Sequence, residues 1–196
     1  MQHLAPECWS TAVATNYHCI EESFSFRATK ETKKPSCGDV LVEFDYLVAD
    51  QRGSTSSCLT VRAKKELDVA LLTFDPDAIQ MAPGKDRVPV KIRPATEGPA
   101  NMMRLIHHPL GLPSVLENNC SLKVVEQDDL LHDCNSTPGS SGSPLFDDQM
   151  RWTGLHYKGP LPKTWTLQQW QEDYQKNGPR YNRAKRSQAV WQFLNE

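Results

Sequence analysis

Three residue types in this 196-residue chain, met in a particular order, have the makings of nucleophilic catalysis. The segment Ser136-Thr137-Pro138-Gly139-Ser140-Ser141-Gly142-Ser143-Pro144-Leu145-Phe146 crowds small residues into a tight turn that runs on into an apolar strand. Glycines in such a turn admit unusual backbone angles and leave room for a carbonyl group to approach Ser141. The amides of Gly139 and Ser141 would then point at one spot and form an oxyanion hole. Taken alone, the same residues read equally well as a Ser/Gly-rich hairpin loop. A serine also needs a base, and His3, His18, His107, His108, His132 and His156 are available. His18 lies in Val13-Ala14-Thr15-Asn16-Tyr17-His18-Cys19-Ile20, read as the end of an apolar strand where a polar group faces a cleft. Asp68 opens the buried-looking run Asp68-Val69-Ala70-Leu71-Leu72, and a carboxylate screened there can hold an imidazole in one tautomer. Singly, an Asp at a strand start is usually a turn residue, and a lone His is usually surface or satisfied core.

The elements that must position these groups read as β-rich. The 14 Pro and 10 Gly are spread along the chain, with no repeat and no low-complexity tract. Between them lie short β-leaning runs at Gly38–Val48, Cys58–Ala63, Asp68–Phe74, Val88–Ile92, Met102–His107, Ser121–Gln127, Pro144–Phe146 and Trp152–Tyr157. Many short strands at modest spacing point to a sandwich or a pair of barrels. Two segments break this pattern. Lys163–Lys176 has Leu167, Trp170 and Tyr174 at helical spacing before Asn177-Gly178-Pro179, and Gln188–Glu196 reads as a packed terminal helix. No apolar run is long enough to span a bilayer as a helix, so no membrane association is expected. A net charge of -2 gives no reason to expect nucleic acid. Arg180, Arg183, Lys185 and Arg186 read as a solvated approach to the last helix.

The order His18, Asp68, Ser141, within Thr-Asn-Tyr-His, Asp-Val-Ala-Leu-Leu and Pro-Gly-Ser-Ser-Gly-Ser-Pro, resembles the trypsin-like serine peptidases of the chymotrypsin-fold clan. It is most similar to the V8-like, glutamyl endopeptidase-like branch, with which it shares the Gly-Ser-Pro ending after Ser141. The resemblance runs from about Cys8 to the last helix. It includes Ile106-His107-His108-Pro109-Leu110-Gly111-Leu112-Pro113, similar to the loop before the nucleophile. It also includes Trp152-Thr153-Gly154-Leu155-His156-Tyr157-Lys158-Gly159, similar to the strand that walls the first substrate pocket. The resemblance implies an all-β fold of two antiparallel six-stranded barrels with a C-terminal helix and an active site in the crevice between the barrels. One peptidase domain is expected over residues 1–196. The first barrel is expected near 1–95, the second near 96–182 with a helical insertion near 163–176, and the helix at 183–196.

The implied activity is that of a serine endopeptidase. His18 would serve as general base, Asp68 as its orienting carboxylate, Ser141 as nucleophile, and the Gly139 and Ser141 amides as the oxyanion hole. Its partners are protein or peptide substrates, and no cofactor or metal is implied. The resemblance also puts His156, with a hydroxyl from Ser136 or Thr137, at the pocket for the first substrate side chain. An imidazole N–H suits Glu or Gln there, while the alternative reading makes His156 a structural strand residue.

The chain departs from the family pattern at both ends. Only one strand, Cys8–Thr15, fits ahead of His18, so the first barrel is expected to be short, or the chain to be cut from a larger protein. Tyr181–Arg186 is less apolar than the family's last strand and is expected to be a weak one. Of the six cysteines (8, 19, 37, 58, 120, 134), Cys19 sits where a trypsin pairs with an upstream cysteine, which Cys8 could supply. The branch closest by motif usually lacks disulfides, and the chain starts with neither a basic nor an apolar stretch. Reduced cysteines in an intracellular protein are therefore expected. The sequons Asn119-Cys120-Ser121 and Asn135-Ser136-Thr137 fit this, because a glycan on Asn135 would crowd the nucleophile turn. A metal site at Cys8, His18 and Cys19 lacks a second ligand pair. The short first barrel motivates one other class of function, a weakly active or inactive protease-like interaction module.

Overall fold

The computed structural model describes residues 12–25, 37, 40–51, 53–74, 90, 102–160 and 166–196. The protein is mostly β, with two curled antiparallel sheets forming half-barrels and a few short helices, one of them C-terminal. It divides into two units, Met1–Lys91 and Ile92–Glu196.

The first unit holds β1 (Ala12–Thr15), α1 (Tyr17–Ser25), β2 (Leu41–Phe44), β3 (Ser54–Lys64) and β4 (Val69–Phe74). Its sheet runs β1-β4-β3-β2. The Val-Ala-Leu-Leu-Thr-Phe run of β4 is almost wholly buried, as suits a strand paired on both edges and covered on its faces. Ile20 of α1 joins Cys58, Ala70, Leu72 and Phe74 in the core, with Val13, Tyr17, Val42 and Val61 packed around them. Phe44 meets Phe74 edge to face at 6.0 Å. His18 is therefore not at the end of a strand as expected. The strand stops at Thr15, Asn16 is fully buried, and His18 lies in the first turn of α1.

The second unit holds β5 (Met103–His107), a 3-10 turn at Pro109–Gly111, β6 (Val115–Cys120), β7 (Leu122–Val125), β8 (Asp129–His132) and β9 (Pro144–Asp147). It continues with β10 (Trp152–Lys158), α2 (Leu167–Asn177), β11 (Asn182–Arg186) and α3 (Ser187–Leu194). Its sheet runs β6-β5-β9-β10-β11-β8-β7. β6 and β7 are consecutive strands separated by Ser121 alone, yet they form opposite edges, so the sheet must curl until its edges meet there. Met103, Leu105, Cys120, Leu130, Cys134, Leu145 and Ala184 make its core. α3 packs on β10 and β11 through Ala189, Val190 and Phe193.

Several sequence expectations change in detail. Six strands per barrel were expected; among the described residues there are four in the first unit and seven in the second. The expected strand Val88–Ile92 lies outside the described residues, Val90 excepted. The terminal helix begins at Ser187, because 182–186 is strand. That strand, expected to be weak, is central: β11 pairs with β10 on one side and β8 on the other. Its alternation explains this. Asn182 and Ala184 point inward, while Arg183 and Lys185 reach Asp129 at 3.3 and 2.6 Å, so these cations are paired rather than simply solvated. The helical insertion falls between β10 and β11 as expected, starting at a capping box between Thr166 and Gln169. The cysteines are not all reduced. Cys37–Cys58 and Cys120–Cys134 are bridged, with Cα separations of 4.8 and 4.5 Å that suit a disulfide. Cys8 lies outside the described residues, and Cys19 takes part in neither bridge.

Candidate active site

In the first unit the chemistry gathers where β1 ends and β4 begins. Those strands pair with Thr15 opposite Ala70, so the residues just beyond each end, Asn16 and Asp68, become neighbours. The Asn16 Nδ2 group donates to the Asp68 carbonyl at 3.0 Å. Asp68 has a left-handed backbone (φ +52), which Asp tolerates better than most residues and which ends the turn Lys65–Asp68. Its carboxylate divides its two oxygens within one residue. Oδ1 accepts the His18 backbone N–H at 2.9 Å and Oδ2 pairs with the His18 ring Nδ1 at 2.8 Å. The first bond satisfies an orphan amide in the first turn of α1, and the negative charge lies at the favourable end of the helix dipole. The second bond orients the ring. The Asp68 hydrogen bond first, and the Cys19 side chain second, push His18 up to about 10, against a smaller lowering by burial. The His18 side chain stays 34% exposed.

In the second unit, Ser141 sits in the turn that enters β9. Gly139 and Gly142 take φ of +97 and +86, both in the region that favours glycine. A Cβ on Gly139 would lie 3.0 Å from the His108 carbonyl oxygen and 3.1 Å from the Gly111 nitrogen. This is close to the role the sequence assigns to the glycines, with the crowding coming from the 3-10 turn. The Ser140, Gly142 and Ser143 amides are committed to the carbonyls of Thr137, His156 and Ser140 at 3.0, 2.8 and 3.2 Å. No acceptor meets the Gly139 amide among the described residues.

The candidate pocket residues belong to the same unit. Ser136 Oγ donates to Asn182 Oδ1, and Asn182 Nδ2 donates to the Cys134 carbonyl at 2.7 Å. The Ser136 hydroxyl is thus engaged with β11. The Thr137 N–H donates to Ser140 Oγ at 3.2 Å. His156 is tied by its backbone to Gly142 and Ser143, immediately after Ser141, and its Nδ1 lies 3.2 Å from Nε2 of His132. Both rings are buried. Burial, then the neighbouring His156, pushes His132 down to about 3. Ala184, the β11 residue in register with His156, is small enough to let the rings meet across that strand.

His18 and Asp68 are brought together in the first unit; Ser136, Thr137, Gly139, Ser141 and His156 belong to the second. Sequence reasoning gave no role to Asn16, Ser140, His132 or Asn182. The polar Asn16, which interrupts an apolar run two residues before His18, is the readable signal among them. Among the described residues no three His, Cys, Asp or Glu side chains gather closely enough to hold a metal ion.

The family model described as "Trypsin-like peptidase domain" matches residues 8–155. No curated protein matches the chain. Among solved structures, a Glu endopeptidase in complex with MPD is similar with a TM-score of 0.61 at 15% identity, covering 95% of this chain and 80% of that one. The MamO protease domain from Magnetospirillum magneticum, in its apo form, is similar with a TM-score of 0.60 at 12% identity, covering 96% and 86%. At these identities the two structures speak for the fold. The matched stretch spans most of the chain, from ahead of β1 into β10, and on it the chain belongs to the trypsin-like peptidase domain family.

Proposed function

We propose that the protein is a serine endopeptidase that cleaves peptide bonds through His18, Asp68 and Ser141. The observation that carries this reading is the Asp68 carboxylate, which holds both the backbone and the ring of His18. With Nδ1 turned to Asp68, the mechanism gives the role of base to Nε2. In this mechanism His18 takes the proton of Ser141 Oγ as that oxygen attacks the substrate carbonyl. The Gly139 and Ser141 amides hold the resulting oxyanion, worth roughly 100- to 1,000-fold in rate per donor. His18 then returns the proton to the leaving amine, and water hydrolyses the acyl-enzyme by the same route. A Glu or Gln preference rests on His156, and the fold likeness to a Glu endopeptidase is compatible with it.

A fluorophosphonate probe tests the reading directly. Covalent labelling is expected at Ser141 and nowhere else, and Ser141→Ala should abolish both labelling and peptide hydrolysis while the protein stays folded. A folded wild-type protein that is not labelled would falsify it. A peptide-library profile with no enrichment of Glu or Gln before the cleaved bond would remove the pocket assignment alone.

The raised pKa of His18 favours a second reading, a weakly active module. A ring protonated at neutral pH is a poor base. The two readings part on pH. Labelling that is slow at pH 7 and accelerates toward pH 10 marks a working triad held in its protonated form, whereas no labelling at any pH marks a module without turnover.

A further inference from the structure

A second serine–histidine pair lies beside the nucleophile turn. His107, the last residue of β5, has Nδ1 at 2.7 Å from Oγ of Ser140, the residue preceding Ser141. Such a distance would suit a nucleophile and its base, but burial argues otherwise. Ser140 has no exposed surface and His107 is 5% exposed, so neither can meet a substrate carbonyl.

The hydrogen-bond accounting indicates what the pair does. Ser140 Oγ already accepts the Thr137 N–H at 3.2 Å. A hydroxyl also has one proton to donate, and a buried proton without an acceptor is costly. Among the described residues, His107 Nδ1 is the acceptor within reach. His107 is therefore the neutral tautomer with its proton on Nε2. Burial lowers its pKa in the same sense; Glu117 opposes this and His108 assists.

The pair also sits within a set of backbone ties. The Leu110 N–H donates to the Pro138 carbonyl at 2.8 Å, the Ser140 N–H to Thr137, and the Ser143 N–H to Ser140. Gly139 is wedged between these ties, against the backbone of His108, Leu110 and Gly111. The direction of the Gly139 and Ser141 amides thus depends on how Ser140 is held, and His107 is the side chain that holds it.

We propose that His107 is a positioning residue: by accepting the Ser140 hydroxyl proton it fixes the turn so that the Gly139 and Ser141 amides converge on the developing oxyanion. The inference rests on Ser141 being the nucleophile. His107→Leu keeps bulk and removes the acceptor, whereas His107→Asn can put Oδ1 where Nδ1 stood. The full chain is assayed for peptide hydrolysis and for the fluorophosphonate labelling rate. His107→Leu should lower kcat by about 10- to 100-fold with KM changed less than about twofold, the scale of a small misplacement of reacting groups. His107→Asn should recover most of that loss. Ser140→Ala should lower kcat at least as much, because it also removes the acceptor of the Thr137 N–H, and adding His107→Leu to it should cost nothing more, since the bond the two share is already gone. Should His107→Leu fail to fold, the smaller Ser140→Ala change carries the same expectation. Wild-type kcat in Ser140→Ala, an Asn variant no better than Leu, or additive losses would each overturn the proposal. Nitrogen NMR of His107 should report the Nε2–H tautomer, and an Nδ1–H ring would overturn it without any activity measurement. Failure of the wild-type protein to label at Ser141 would sink the peptidase reading and this inference with it. Normal wild-type labelling with unaffected His107 variants would sink the inference alone.

Discussion

His18 in the first unit and His132 in the second are both imidazoles with a close side-chain neighbour, yet their environments drive them in opposite directions. His18 is a third exposed at its side chain and leans on the Asp68 carboxylate, which favours the charged ring and raises the pKa to about 10. His132 has no exposed surface and faces His156, and burial first, then that neighbour, lowers it to about 3. Nδ1 of His132 meets no hydrogen-bond partner among the described residues. A lone pair left unpaired costs less than a buried N–H left unpaired, so His132 carries its proton on Nε2 and donates it to His156. One histidine is drawn toward its charged form by a carboxylate, and the other is held neutral by burial. The contrast separates a candidate base from a structural ring where residue type cannot.

The largest expected effect comes from removing the feature that distinguishes the first unit. Asp68→Asn keeps the shape and the His18 backbone bond but removes the charge. On the proposed function kcat/KM should fall by about 10,000-fold, the scale for neutralising the carboxylate of a triad. The His18 titration, followed by NMR in the Ser141→Ala background, should move down toward its ordinary value. If it does not move, Asp68 is not what makes His18 differ from His132.

Protein stability tests the other side of the comparison. The folded pKa of His132 lies below its unfolded value, so the unfolded chain binds a proton that the folded chain refuses. Stability should fall as pH drops from about 6.5, with a slope approaching about 1.4 kcal/mol per pH unit. The window from pH 6.5 to 4.5 is the informative one: His107, also lowered by burial, adds to the slope there but is kept in the variant, and Asp133 and Asp173, held low by burial-opposed bonds to Lys123 and Ser121 and by Arg180, add their acid losses only below it. His18 has the opposite sign. Its folded pKa is raised, so its contribution is complete below about 6.5 and is lost as pH rises toward 10. Urea unfolding of His132→Phe across that acid window should show a flatter slope than wild type. At pH 7 the variant should lose about 1–3 kcal/mol, because His156 Nδ1 loses its donor. An unchanged slope would mean that His132 is not held neutral by the fold.

In both units what is legible from the sequence is divided from what is not by the same physical reason. The apolar run of β4 and the small-residue turn at 136–146 declare themselves locally, since hydrophobic runs and glycine chemistry are properties of neighbouring residues. The helix at His18 did not declare itself. Asn16 stops the strand by donating to Asp68, a contact between residues far apart in the chain. β11 reads as weak because its cations look like a charge run, whereas they meet Asp129 on β8 and the strand is paired along both edges, contacts that composition does not report. The His107–Ser140 and His132–His156 pairs are likewise long-range, and nothing in the local sequence sets them apart from solvated histidines. The candidate triad residues could be picked out by order and motif, whereas the contacts that would tune them could not.

The finest test of the comparison is at Cys19. Its side chain is the second cause, after Asp68, of the raised His18 pKa. No comparable group pushes His132 upward; Asp133 opposes its fall only weakly against burial. Cys19→Ala removes one raising influence and leaves the Asp68 pair in place. The limb of kcat/KM that reports deprotonation of the free enzyme's base should therefore move to lower pH, by less than in Asp68→Asn. The plateau rate at high pH should change little, since the Asp68 contacts with the His18 ring and backbone remain. At pH 7 the variant should thus be more active than wild type, an increase of a few-fold, because more of the base is in its working form. A pH–rate profile of the two proteins settles the sign. A limb that stays put, or moves to higher pH, would show that Cys19 does not raise His18 and that Asp68 alone sets it apart from the buried rings of the second unit.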